Sequence, residues 1–426
     1  LIYQGTDESS LSTLGTYSVL TLLVNFSDRA VTCSRGKVEN ILSEKSKSTS
    51  NWFSTTSYGT ELFQFDTNSE GSNDTLSVSI AAKANDTCDN QAWADLADAA
   101  ALDVGVNVDN FTHVIYILPP NLTCPWGGLA EFDCANDCRA WIAICDNKSI
   151  YTHELGHNLG VDHASTDLDN DGVIDDEYGD TSCPMGTASA GFRHFNVPHK
   201  FTLGWLPGEL ATGISADGFV TVAAAEQALA DDSSSIRAVR VFVNPAQPAL
   251  GRYYFSFRAA LDDFSSALKS PYLNKLNVHL SRDLVGKTSY LSSLGVDQSW
   301  TDERGRRVTL SDFDGAAATV WVSPTGTEQP KFAVSGVVAE KNGKSIPEGN
   351  FAKFRVQFTK LSSKEKTTVV PESDGSFSAL LTYGNYKVQL KKKGKKVPYA
   401  VSTKPFTRLV SEDATIALQV KKSKKK

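Results

Sequence analysis

Methionine occurs once in this 426-residue chain, at Met185, and cysteine is absent beyond Cys183. No apolar run approaches the roughly 18 residues of a membrane helix. The best candidate, "SVLTLLVNF", is too short and too polar at its edges, so no membrane span is expected. Basic charge is not in excess, with 42 Lys and Arg against 49 Asp and Glu for a net charge of -7. That balance speaks against nucleic acid as a partner. The seven cysteines, Cys33, Cys88, Cys124, Cys134, Cys138, Cys145 and Cys183, nowhere show the CxxC spacing of a thiolate zinc site. Disulfides formed in an oxidising compartment are expected instead, with one thiol left over. The chain opens at Leu1 without the charged and apolar regions of a secretion signal, as expected if its start has been removed.

The chemistry-bearing residues stand in "YTHELGHNLGVDHAS", from Tyr151 to Ser165. On a helix, His153 and His157 lie one turn apart on the same face, so two imidazoles reach one cation. Glu154 points beside that cation. Gly160 falls where the helix would end in the left-handed conformation, which glycine adopts without a Cβ penalty. The chain then turns and brings back His163 as a third ligand. Three ligands leave one position of a tetrahedral zinc open for water, which is the catalytic arrangement. Zinc lowers the pKa of such a water to roughly 7, and Glu154 is placed to act as general base in attack on a peptide carbonyl.

The complete pattern H-E-x-x-H-x-x-G-x-x-H resembles the signature of the metzincin metalloproteases. That resemblance implies a methionine turn beneath the metal, a role for Met185 in "GDTSCPMGTASAGF". The segments "YGDTSCPMG", "FNVPHKFTLGW", "SVLTLLVNFSD", "RYYFSFR" and "KLNVHLSRDL" are similar to those of the gametolysin family, algal cell-wall-lysing enzymes, over roughly residues 17 to 322. Some metzincins carry a tyrosine two residues after the methionine, where this chain has Thr187. The oxyanion stabiliser is therefore unassigned among Tyr178, His194 and His199, and for the two histidines an ordinary hydrogen-bonding role is the better reading.

Between His163 and Met185 lies "DLDNDGVIDDEYGD". Asp167, Asp169 and Asp171, followed by Gly172, have the alternating carboxylates and glycine turn of a calcium loop, with the Val173 carbonyl and Asp175 as further ligands. Tyr178 stands where an EF-hand needs glutamate, so the expectation is a looser DxDxDG loop, weighed against a solvated acidic loop. Asn25, Asn73, Asn85, Asn110, Asn121 and Asn147 open N-glycosylation triplets. Together with the cysteines they favour secretion.

The expected fold class is an α+β metzincin catalytic domain, a mixed twisted sheet with helices, followed by two β-rich sandwich-like domains. The boundaries read as 1–205 catalytic, 206–322 sandwich-like, 323–330 linker, 331–420 a carboxypeptidase-regulatory or immunoglobulin-like sandwich, and 421–426 a lysine tail. One helical face is expected from Val38, Ile41, Leu42, Trp52 and Phe53, and another from Trp93, Leu96 and Ala100. The segment "CPWGGLAEF" from Cys124 resembles the one that in such enzymes leads into the edge strand against which an extended substrate lies, and Gly127 and Gly128 are expected to let the backbones approach closely there. Lys391 to Lys393, Lys395 and Lys396 offer either a contact with polyanionic wall material or a solvated edge. The chain therefore reads as a secreted zinc endopeptidase acting on extracellular matrix or cell-wall glycoproteins, with calcium as a second ion. The alternative is a non-catalytic wall- or matrix-binding protein on the same scaffold.

Overall fold

The computed structural model describes residues 15–67, 74–134, 136–229, 235–282, 286–344, 346–394 and 397–423. The chain divides into two compact units, one of residues 1–213 with 223–293 and one of 214–222 with 294–426. Among the described residues no helix is long and apolar enough to cross a membrane.

The first unit opens with a long strand, β1 (Gly15–Phe26), followed by α1 (Arg35–Glu39), α2 (Thr49–Thr56), β2 (Glu61–Gln64), β3 (Thr75–Ile80), α3 (Asn90–Leu102), β4 (His113–Ile117), β5 (Gly128–Ala130), β6 (Cys138–Ile142), α4 (Lys148–Asn158), β7 (Ala164–Thr166) and α5 (Val197–Thr202). The first sheet runs β2-β1-β4-β6-β5, with β3 pairing the far half of β1. All its pairings are parallel except β5 with β6, which leaves β5 as an antiparallel edge strand. Alternation along β1 sends Val19 and Leu23 to one core with Trp52, Phe53, Tyr151 and Leu155. Leu20, Leu22 and Val24 go to the opposite core with Trp93, Ala94, Ala97 and Ala101, as the two-residue period of a strand requires. A strand buried on both faces reads as a continuous apolar run, which "VLTLLV" is.

Two helical readings need adjustment. The five residues expected on one face of a single helix are all buried in one core, but they come from separate pieces. The chain passes from α1 through a π-turn (Asn40–Glu44) and restarts at α2, where the Ser48 side chain accepts from Asn51 N. On α3 the buried face is Trp93, Ala94, Ala97 and Ala101, and Leu96 is 43% exposed. The small alanines let this helix lie close to the sheet, so its packing face is not its most hydrophobic one.

The remaining strands are β8 (Ala211–Thr212), β9 (Gly218–Ala223), β10 (Ala238–Phe242), β11 (Arg252–Arg258), β12 (Lys275–Ser281), β13 (Thr288–Leu294), β14 (Ser299–Thr301), β15 (Arg307–Phe313), β16 (Ala317–Ser323), β17 (Lys331–Glu340), β18 (Phe354–Lys360), β19 (Lys366–Val369), β20 (Ser376–Thr382), β21 (Gly384–Lys392), β22 (Tyr399–Val401), β23 (Phe406–Val410) and β24 (Ala414–Lys422). A second sheet runs β7-β13-β12-β11-β10-β8. The region expected as one domain, 206–322, is thus divided: its strands β10 to β13 build on β7, the segment directly after His163, and belong to the first unit. The second unit contains the sheet β14-β15-β16-β9 and a sandwich of two four-stranded sheets, β20-β17-β24-β22 and β19-β18-β21-β23. Both faces of the sandwich contribute to one core, with Val334, Val338, Phe377 and Leu418 from one sheet and Phe354, Val356, Phe358 and Val388 from the other. Lys391 and Lys392 end β21 and are exposed, while Lys395 and Lys396 lie outside the described residues.

Candidate metal centre

Helix α4 starts where the Asn147 side chain accepts from Ser149 N and ends at Asn158, with Leu159 as its cap. Gly160 follows at φ +90°. Its N–H donates to His157 O at 2.9 Å and that of Val161 to Gly156 O at 3.1 Å, the paired bonds of a Schellman cap. The turn returns His163 to the helix. One ring nitrogen each from His153, His157 and His163 then lie within 4.8 Å of one another.

In each imidazole the other nitrogen is committed. His153 Nδ1 lies 2.8 Å from Pro184 O, His157 Nδ1 3.0 Å from Val161 O, and His163 Nδ1 2.6 Å from a Glu177 carboxylate oxygen. These acceptors place the proton on Nδ1 and leave Nε2 with its lone pair, the form that binds a metal. Burial, with help from the neighbouring imidazole, holds His153 down at about 3 and His157 at about 4. Both rings are therefore neutral. A set of three imidazoles, each with an oriented outer partner, fits zinc chemically.

Glu154 is 3% exposed, and burial pushes its carboxyl up to about 8. Its seat is made by Gly128 of β5, where an added Cβ would meet Glu154 Oε1 at 2.1 Å. The room expected at Gly127 and Gly128 is thus filled by Ile144 and Glu154 of the chain itself. Met185 is fully buried, its sulfur occupying the space a side chain at position 156 would need. Its carbonyl accepts from Ala164 N at 3.0 Å.

The segment that carries Met185 is fastened through Asp180. This buried carboxylate accepts from Ser182 N at 2.9 Å and from Asn196 Nδ2 at 3.1 Å, and lies 3.2 Å from His279 Nε2. Burial works against the charge, but these partners, His279 foremost, hold Asp180 well below the usual carboxylate range. Cys183 is the free thiol, pushed up to about 12 by burial. The other six cysteines pair as Cys33–Cys145, Cys88–Cys124 and Cys134–Cys138. The third-histidine turn is braced from the second sheet: Asp162 N donates to Gly286 O at 3.2 Å, and β13 pairs with β7 in parallel.

Tyr178 stands over this centre, its ring centroid 4.3 Å from that of His163. His194 and His199 do not. His194 is buried between Asp262 and Lys200, and His199 between Gly286 O and Cys183 Sγ. The sequence gives no sign of Glu177 as the partner of His163, because it sits in the acidic run already read as a calcium loop.

In that loop Asp167, Asp169 and Asp171 offer oxygens within 4.8 Å of one another. Asp167 accepts from Asp171 N at 3.1 Å and, at its other oxygen, from Gly172 N at 3.2 Å, and Arg282 lies 3.7 Å from that second oxygen. Asp175 accepts from Leu168 N at 2.7 Å, and Val173 is 67% exposed. Of the sequon asparagines, Asn85, Asn110 and Asn121 are exposed. Asn25 is half-buried and donates to Ser77 Oγ at 3.0 Å, and Asn147 caps α4. Asn73 lies outside the described residues.

Residues 21–293 match the profile of gametolysin peptidase M11, and the chain belongs to that family. The match stops where the first unit ends, short of the expected span to 322. Autolysin of Chlamydomonas reinhardtii is 29% identical over 198 residues, 39% of this chain and 30% of that protein's length. Among solved structures, a DUF3823 family protein from Parabacteroides merdae is 21% identical over 22% of this chain and 48% of its own, with a TM-score of 0.19. The Bacillus anthracis TIE protein is 12% identical over 50% of this chain and 33% of its own, also at 0.19. Scores this low carry no argument about the fold.

Proposed function

We propose that the chain is a secreted zinc endopeptidase of metzincin type, hydrolysing peptide bonds in extracellular matrix or cell-wall glycoproteins. The observation that carries this reading is the convergence of three outwardly anchored imidazoles beside the buried carboxyl of Glu154. His153, His157 and His163 would hold the zinc, and Met185 and Gly160 would keep the helix end and the third ligand in place. When bound, zinc supplies a Lewis acid that brings the pKa of water to roughly 7 and polarises a peptide carbonyl. Burial alone favours the neutral carboxyl of Glu154 and a neighbouring cation would favour the carboxylate; in that form Glu154 takes the proton of the attacking water and delivers it to the leaving amine. The free edge of β5 accepts an extended peptide as an added strand, beside the Glu154 carboxyl seated against Gly128.

Membership of a peptidase family supports the reaction, and the name of the Chlamydomonas relative supports a lytic role. Calcium at Asp167, Asp169 and Asp171, with the Val173 carbonyl and Asp175, would steady the loop between His163 and Met185. Exposed Asn85, Asn110 and Asn121 are the sequons best placed to carry glycans.

The test is hydrolysis of a quenched mixed-peptide library, with zinc content measured on the same sample and Glu154→Gln alongside. The variant should retain zinc and lose roughly 10²–10⁴-fold in turnover, the range for a general base. Cleavage by the variant at the wild-type rate would refute the mechanism. Bound zinc without cleavage by the wild type would favour the wall-binding alternative.

A further inference from the structure

Charge is divided unevenly along the chain. Residues 331–426 carry 21 Lys and Arg against 7 Asp and Glu, whereas residues 1–330 carry 21 against 42. Half of the basic side chains thus fall in less than a quarter of the length, and an asymmetry of this kind points to an anionic partner. The fold then sorts this charge by face. In the sheet β19-β18-β21-β23 burial alternates along β18 and β21. Phe354, Val356 and Phe358 enter the core, so Arg355, Gln357 and Thr359 stand on the outer face.

The register puts Lys391 directly opposite Arg355, Gln389 opposite Gln357 and Lys387 opposite Thr359. Strand β19 adds Lys366 beside Thr359 and Thr368 beside Gln357. Two cationic rows therefore flank a neutral row of amides and a hydroxyl. At about 3.4 Å per residue, the backbones of Lys387 and Lys391 are roughly 13 Å apart, and at about 4.8 Å per strand those of Lys366 and Lys387 are roughly 10 Å apart. Strand β21 lies between β18 and β23, so its lysines do not guard a sheet edge. Among the described residues none of Arg355, Lys366, Lys387 and Lys391 is in an ion pair. Like charges directly opposite, as Arg355 and Lys391 are, destabilise a sheet, and a partner bearing anions would remove that cost. The other sheet of the sandwich has the contrary outer face: Ser335 lies between Ser378 and Thr415, and Val337 between Ser376 and Ala417, without charge.

The chemistry of the rows defines the partner. Ammonium and guanidinium groups take anions, while the amides and hydroxyls between them exchange hydrogen bonds with hydroxyls. A polymer that carries both kinds of group along its length is an acidic polysaccharide. None of the outward positions on these four strands is aromatic, so a nucleic acid would find no ring on which its bases could stack. We propose that the outer face of β19-β18-β21-β23 binds an acidic polysaccharide. The inference does not depend on the peptidase reading, since neither the metal nor Glu154 takes part.

The experiment measures binding of the full chain to immobilised polygalacturonate and dextran sulfate at low salt, with neutral dextran as the blank. It is repeated with the double variant Lys387→Gln, Lys391→Gln. A control pair, Lys341→Gln with Lys344→Gln, removes the same charge from exposed positions after β17, on the other sheet. At least one acidic polymer should bind saturably and release as salt is raised. The face variant should bind it about tenfold more weakly, the loss of two exposed ionic contacts, and the control pair less than twofold. The thermal midpoint of the face variant should not fall, because Lys391→Gln relieves the opposition to Arg355; this separates lost binding from lost folding. Absence of binding to both acidic polymers would overturn the proposal. So would equal weakening by the control pair, or tighter binding of duplex DNA or of phosphatidylserine vesicles than of either polysaccharide.

Discussion

The histidine cluster and the aspartate cluster follow one another along the chain and are held in opposite ways. Each imidazole is oriented by a group outside the cluster, two by backbone carbonyls and one by Glu177. The carboxylates are oriented largely by the loop they belong to, through the N–H groups of Asp171, Gly172 and Val173. The neutral rings of His153 and His157 converge without net repulsion, whereas three ionised carboxylates within 4.8 Å would repel. The first cluster can be preassembled by packing alone; the second has amides and Arg282 to offset its own charge, and would gain from a cation.

Removing the framework should do more harm than removing the second cation. Asp180→Asn, which leaves His279 without its buried anionic partner, should cost about 3 kcal/mol or more in urea unfolding. The folded Asp180 carboxyl is held below its unfolded value. Its contribution is therefore complete above the unfolded pKa of roughly 4 and disappears as pH falls toward the folded value. A difference between wild type and variant that stays constant as pH is lowered below 4 would contradict this.

Calcium in excess should raise stability by about 2.7 kcal/mol at a hundred times its dissociation constant, or roughly 5–10 °C in Tm. The shift should vanish when Asp169 and Asp171 are both changed to Asn. An equal shift in that double variant would move the ion elsewhere. The smallest expected effect tests the one imidazole whose anchor is an exposed side chain. Glu177→Ala should weaken zinc binding about 10–100-fold, and Glu177→Gln, which keeps an acceptor, should restore most of it. Competition with a chromophoric chelator reads this directly, and equal affinity for all three proteins would show that His163 does not need the anchor.

Much of the histidine cluster was legible because its information is local. The helical spacing of His153 and His157, the left-handed Gly160 and a sole methionine at 185 can all be read from short stretches. What could not be read is what comes from elsewhere in the chain. Pro184 O anchors His153 from a loop, Gly128 makes room for Glu154 from another strand, and β13 pairs with β7 across more than a hundred residues. None of these leaves a periodic signal. The buried face of α3 was misjudged for a different reason: Ala94 and Ala97 fit against the sheet because they are small, and Leu96 was left outside. Glu177 was hidden by its acidic neighbours.

The brace from Gly286 and Thr288 also sets a timetable. Ser165 Oγ donates to the Thr288 carbonyl at 3.0 Å, across 123 residues. At roughly 5–20 residues per second of synthesis, that gap lasts on the order of ten seconds. During it the nascent chain carries all three histidines, but the turn that carries His163 lacks its brace from Gly286 and Thr288. The centre is therefore among the last parts of its unit to be completed, and a chain cut short before Gly286 would carry the whole motif without the strand that steadies its third ligand.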